Sequence, residues 1–124
     1  MANPNIVNVT SIYGNTSYLI PTTTTATTWT ALTPSAGTVN KIDNIVAANV
    51  TGTAAVITVS VNSAVSGGGT AYRLAYQITV PANASLIITD KTTAFYVGEA
   101  QSVVVTSGTT NAIEMVASYE AITS

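Results

Sequence analysis

Between positions 49 and 80 the sequence alternates so regularly that it admits little except paired β-strands. Residues 54–62 carry Ala55, Ile57, Val59 and Val61 at one parity and Val56, Thr58 and Ser60 at the other. After the loop Ser66-Gly-Gly-Gly-Thr70 the pattern resumes, with Tyr72, Leu74, Tyr76, Ile78 and Val80 at one parity. Successive side chains of a strand point to opposite faces, so apolar residues at every second position set one wall against a core. Both sets are therefore expected to point inward, with the rest of the chain completing a sandwich around them.

The flanking segments fit that plan. Residues 1–5 read as an arm. Ile6, Thr10 and Ile12 then alternate with Val7, Val9 and Tyr13, a pattern expected either for a segment buried on both faces or for one held between subunits. Gly14-Asn15 reads as a turn, and Tyr18-Leu-Ile20 as a short strand stopped by Pro21. Residues 22–28 are nearly all threonine. Nothing there fixes register, so the tract is an extended edge or a loop. Pro34-Ser-Ala-Gly37 and Pro81-Ala-Asn-Ala84 are turn sequences. Further strands are expected from position 39 to 49 and over 86–89, 95–97, 102–106 and 112–121, with Ser107-Gly-Thr-Thr-Asn111 as a hairpin loop. In the last strand Ile113, Met115, Ala117 and Tyr119 face inward, and Glu114, Ser118 and Glu120 outward.

Turn signals recurring roughly every 8–12 residues, with no helical stripe, predict an all-β fold. The expectation is one antiparallel β-sandwich domain, jelly-roll-like or immunoglobulin-like. Residues 1–14 would form an arm or first strand and residues 15–124 the sandwich. At 124 residues the chain can bury roughly 65–70% of its unfolded surface, and it contains no cysteine for a disulfide or thiolate site.

Charge sets the next limit. Only 6% of the residues are charged, against about 25% in ordinary domains. Threonine, serine and asparagine must do most of the solvating, and little like-charge repulsion keeps copies apart. Two readings follow: a β-rich chain that uses threonine on its outward faces, or a surface covered by copies of itself or by a partner. A net charge of -2 lacks the electrostatic footprint of a general nucleic-acid binder. No apolar run of about 18 residues is present, so no membrane span is expected. Met1-Ala-Asn-Pro-Asn has neither the basic nor the apolar region of a secretory signal.

Catalytic chemistry has few places to stand. Without histidine or cysteine, Ser-His-Asp and Cys-His arrangements are impossible and zinc loses its usual ligands. A serine–lysine dyad would need Lys41 or Lys91, each of which has an aspartate close by, Asp43 and Asp90. The carboxylates Asp43, Asp90, Glu99, Glu114 and Glu120 are scattered over turns and an outward face, unlike the spaced pair of a glycosidase. Gly67-Gly-Gly69 lacks the Gly-Lys-Thr and the helix of a phosphate loop and reads as a flexible hairpin tip. Asp90 and Glu99 alone make no calcium loop. Four Asn-x-Ser/Thr matches, at Asn8, Asn15, Asn49 and Asn83, are the chance yield of such a composition. No catalytic, cofactor-binding or metal-binding residue is predicted.

Aromatic side chains offer more. Tyr72, Tyr76 and Tyr119 share parity with aliphatic residues and are expected in the core, hydroxyls at the rim. Tyr13, Tyr18 and Trp29 are freer for an interface. Arg73, the sole arginine, is expected to point outward, either solvated or gripping a partner carboxylate. With Ile6 and Val9 from the first segment, the candidate interface is Ile6, Val9, Tyr13, Tyr18, Trp29 and Arg73.

The run Val46-Ala-Ala-Asn-Val-Thr-Gly-Thr-Ala-Ala-Val-Ile-Thr-Val-Ser-Val-Asn62, with Gly69-Thr-Ala-Tyr72, Val80-Pro-Ala-Asn-Ala-Ser-Leu86 and Ser118-Tyr-Glu120, resembles small virion structural proteins of tailed bacteriophages. The resemblance is to those of contractile-tailed phages of marine cyanobacteria in particular. The opening Asn3-Pro-Asn-Ile-Val-Asn-Val-Thr-Ser-Ile-Tyr-Gly14 is similar to that group as well. These are turn-and-strand patterns, so they point to a family more sharply than to a task. The resemblance implies a virion component without enzymatic activity or cofactor, made in the host cytoplasm. The leading expectation is a capsid decoration or cement protein on the outside of the head, self-associated (a trimer being one arrangement) and bound to the major capsid protein or another virion protein. The alternative is a neck, tail or fibre component touching host glycans. Neither nucleic acid nor membrane is an expected partner.

Overall fold

The computed structural model describes residues 8–123. Among them run β1 (Ser11–Leu19), β2 (Thr27–Thr28), β3 (Thr38–Asn49), β4 (Ala55–Asn62) and β5 (Ala71–Val80). They are followed by β6 (Ser85–Thr89), β7 (Phe95–Val97), β8 (Ser102–Ser107) and β9 (Ile113–Thr123). Short 3-10 turns cover Thr30–Leu32, Val65–Gly67 and Lys91–Thr93. The strands form two antiparallel sheets, as the alternation predicts. One has the order β1-β9-β3-β6, with β7 also on β3, and the other the order β2-β8-β4-β5.

The pairing follows one rule. β4 pairs β5, β3 pairs β6 and β7, β2 pairs β8, and β1 pairs β9. The chain is thus a single long antiparallel ribbon, doubled back between β4 and β5. Rolling it up brings β9 against β3 and β8 against β4. With β6 and β7, which both pair with β3, counted as one interrupted strand, eight strands wound this way make a jelly roll, which decides between the two sandwich types that the sequence leaves open.

The core lies between the sheets. β3 contributes Ile42, Ile45 and Ala47, β4 Ile57 and Val59, β8 Val103 and Val105, and β9 Ile113, Met115 and Ala117. Each fully buried aliphatic side chain among them is worth about 1.5–3 kcal/mol. β9 alternates as expected from Ile113 to Ala117, and Tyr119 packs half-buried at the end of the core. β4 behaves likewise at Ala55, Ile57 and Val59. Ser60 and Asn62, on its opposite face, are nonetheless buried.

The loop between β4 and β5 explains that burial. It folds back over the sheet: Asn62 Oδ1 accepts from the backbone N–H groups of Ala64, at 3.0 Å, and Gly69, at 2.8 Å. Ser102 Oγ accepts from Gly67 N at 3.0 Å and donates to the Ala64 carbonyl at 2.7 Å. The glycine-rich stretch is a strapped cover and not the flexible tip expected from its composition.

Three further expectations are corrected. Gly14-Asn15 makes no turn: β1 passes straight through it in unbroken register with β9. Residues 107–111 form no hairpin, because β8 and β9 belong to different sheets and the segment between them crosses the edge of the sandwich. The third concerns β5, whose apolar set does not all point inward. Its register against β4 shifts twice, between Ile57 and Val59 and between Val59 and Ser60. The inward residues Ala55, Ile57, Val59 and Val61 face Val80, Ile78, Ala75 and Tyr72 in turn. Each bulge adds one residue to β5 and reverses its parity, removing Leu74 and Tyr76 from the inner face. Gln77 sits at one bulge with φ 49°, its N–H donating to Thr58 Oγ1 at 2.9 Å. As the edge strand of its sheet, β5 leaves Tyr72 at 65% exposure and Tyr76 at 56%.

Candidate interaction surface

The outer face of the β1-β9-β3-β6 sheet carries an apolar row where a solvated sheet would carry polar residues. Tyr18 stands directly opposite Val116, Val116 opposite Val46, and Val46 opposite Ile87. Directly opposed residues share a face and touch across the strands, so these four side chains form one band across all four strands. Tyr18 is 75% and Ile87 63% exposed. Val116 is exposed and Val46 half-buried.

Of the charged groups on this face, Glu114 stands exposed opposite Ala48, one same-face position from Val116, while Lys41 and Glu120 lie two same-face positions from the band on its other side. Lys41 pairs with Glu120 across the strands, and its Nζ lies 3.8 Å from both Glu120 Oε2 and Asp43 Oδ1. Exposed pairs this long contribute little stability. Asp90 and Glu99 are engaged locally. Hydrogen bonds from the Thr92 hydroxyl, at 2.6 Å, and the Thr92 N–H, at 3.0 Å, hold the Asp90 carboxyl below the usual carboxylate range. Asp90 thereby caps the Lys91–Thr93 turn. Glu99 Oε1 accepts from Gly37 N at 2.6 Å. Among the described residues no three acidic side chains gather as a metal site would require.

A cleft of about 210 Å³ opens where the inner faces of β1, β9 and β3 meet the Thr30–Leu32 turn and the residues after it, with Asn15, Pro34, Ser35, Asn40 and Tyr119 in its wall. It is smaller than the roughly 300–1,000 Å³ of ordinary ligand pockets. The Asn40 amide, buried there, is already spent on the Leu32 carbonyl at 2.9 Å.

The six residues singled out in the sequence do not converge. Ile6 lies outside the described residues. Val9 precedes β1 and is half-buried. Tyr13 and Tyr18 are both exposed on β1, but at opposite parity, so they project from opposite faces. Trp29 is no surface residue: it is 1% exposed in the core, its Nε1 donating to Ser17 Oγ at 3.0 Å. Its neighbours Thr27 and Thr28 pair with β8, and the 3-10 turn that follows carries Leu32 into the core beside it. Arg73 is exposed on β5, in the other sheet, with its guanidinium 5.0 Å from the centre of the Tyr76 ring. The bulge between them brings these residues, three apart, to one side, where Tyr76 is an exposed platform and not the core residue that its parity implied.

The apolar row is only partly legible in the sequence. Leu86-Ile-Ile88 is a continuous apolar run that parity cannot phase, and pairing with Val46 is what turns Ile87 outward. Val116 was legible: it is an aliphatic residue at an outward position between the inward Met115 and Ala117. No protein-family model matches this chain, and no curated protein matches its sequence.

Proposed function

We propose that this protein is a non-enzymatic structural subunit of a tailed-phage particle, a decoration or cement protein seated on the outside of the head shell. The observation that carries this reading is the exposed apolar band Tyr18–Val116–Val46–Ile87 on a surface nearly devoid of charge. A patch of this kind marks a face that another protein covers. The resemblance of the turn-and-strand motifs to small virion proteins supplies the particle. The jelly roll adds an analogy, since viral capsid and lectin domains use it, but a fold alone assigns no task. The partners in this reading are further copies of the chain and the major capsid protein.

A neck, tail or fibre position is the second reading. The exposed pair of Tyr76 and Arg73 favours it, because an open aromatic ring suits the flat face of a host sugar. Immunogold electron microscopy on purified particles, with antibody against the recombinant domain, separates the two. Even label over the heads is expected. Label confined to neck, tail or fibres would replace decoration by the second reading, and particles without label would overturn both.

A further inference from the structure

Among the described residues the two sheets have four open edges, and three are protected against pairing with another chain. β2 is only two residues long. β5 is bulged twice and carries Arg73. On the β6 side, β6 is five residues long and its register against β3 shifts between Ile45 and Val46, while β7 has three residues. Short strands, bulges and charges are the devices by which proteins blunt sheet edges. β1 has none of them. It is nine residues long, Ser-Ile-Tyr-Gly-Asn-Thr-Ser-Tyr-Leu, without charge or proline and in unbroken register with β9. Every second residue of such a strand aims its N–H and C=O away from its neighbour.

We infer that β1 pairs antiparallel with β1 of a second copy of this chain, about a two-fold axis through Asn15. This deepens the self-association in the reading above and rests on that part of it alone. Full overlap of nine residues fixes the register: Asn15 meets Asn15, Gly14 meets Thr16, Tyr13 meets Ser17, Ile12 meets Tyr18 and Ser11 meets Leu19. A two-fold interface must be self-complementary, and this one is. Ile12 and Tyr18 share the outer parity and are both exposed, and each covers the other's counterpart, an aromatic–β-branched pair of the favourable sort. No like charges meet. The apolar bands of the two copies, each ending at Tyr18, lie on the same side of one continuous sheet that is eight strands across from β6 to β6. Two partly exposed tyrosines per copy, each offering at most about 150–250 Å², keep the contact below the roughly 1,200 Å² of a stable specific interface. The dimer is accordingly a reversible one.

The absence of cysteine makes the register directly testable. In the paired strands, opposed Cα atoms lie about 4.5–5.5 Å apart, within disulfide reach. Under mild oxidation Asn15→Cys should cross-link into a covalent dimer, while Tyr18→Cys, whose symmetry copy is six residues away along the sheet, should not. Light scattering should show the unmodified protein dimerising in the micromolar range, and Asn15→Lys, which sets two ammonium groups face to face, should be monomeric with an unchanged circular dichroism spectrum. A wild type that stays monomeric at millimolar concentration, or equal cross-linking of the two cysteine variants, would overturn the inference. Neither result bears on placement in the particle, which the labelling decides separately.

Discussion

Trp29 Nε1 donates to Ser17 Oγ across 3.0 Å, tying the largest side chain of the core to the middle of the edge strand β1. The indole thus does two jobs, filling the end of the sandwich and holding β1 over it.

Trp29→Ala should therefore cost about 3–5 kcal/mol, mostly through the cavity. Ser17→Ala should cost only about 1 kcal/mol, by leaving the indole N–H unpaired. Chemical denaturation of the two variants checks this. Similar losses for both would mean that the hydrogen bond, and not the packing, anchors the strand.

Ile57 and Thr58 are adjacent on β4, but they meet different surroundings. Ile57 is wholly buried, so Ile57→Asp should prevent folding or remove several kcal/mol, since an unpaired carboxylate would enter the core. Thr58→Asp should be tolerated. Its position is half-buried, and a carboxylate oxygen there can still accept from Gln77 N. Unfolding of both variants would show that the outer face of β4 is covered as well.

Asn49 is 2% exposed and uses its whole amide. Nδ2 donates to the carbonyls of Thr53, at 2.8 Å, and Val80, at 3.0 Å, while Oδ1 accepts from the Thr51 N–H and hydroxyl at 3.0 and 2.7 Å. Asn49→Asp keeps the shape but turns a carboxylate oxygen on two carbonyls, which should cost at least about 2 kcal/mol at neutral pH. A melting temperature equal to that of the wild type would refute this. The same burial removes Asn49 as a glycosylation acceptor.

Gly69 closes the strap over β4. A side chain there would collide with Ser63 Oγ and approach Ala64 N to 2.9 Å, so Gly69→Ala should loosen the loop, whereas Gly52→Ala, with open space around it, should not. Hydrogen exchange at Ala64 N, bonded to Asn62, reports the difference. Unchanged protection in Gly69→Ala would count against the strap.

Asp90 has its carboxyl held below the usual range by Thr92. A carboxyl depressed on folding stabilises the folded state above its unfolded pKa, and that contribution is lost as pH falls through the folded value. Asp90→Asn, still a competent cap, lacks this ionisation. The melting temperature of the wild type relative to the variant should therefore be highest near neutrality and decline in acid. A difference independent of pH would exclude the linkage.

The alternation in β4 and β9 was legible because one face of each meets the core without interruption. In β5 it misled, since parity carries no information about bulges. Nothing in Tyr72-Arg-Leu-Ala-Tyr-Gln-Ile78 announces two inserted residues, and they appear only in pairing with β4. Trp29 was misplaced for a related reason. Its tract has no periodicity, and its burial depends on β1 and β8, neighbours distant in sequence. Tyr13 and Tyr18, which the sequence offers as free for an interface, stand exposed on a strand with one open side.

The long ribbon also implies an order of events in time. β4 and β5 are the only consecutive strands that pair among the described residues, so they are the natural place for folding to start. Each further pair, β3 with β6, β2 with β8 and β1 with β9, closes a longer stretch of chain and so a costlier loop. A nascent chain still lacking β9 has nothing for β1 to join. β1 is thus recruited only after synthesis has passed residue 113, and its outer edge becomes available to a second copy as the last act of folding.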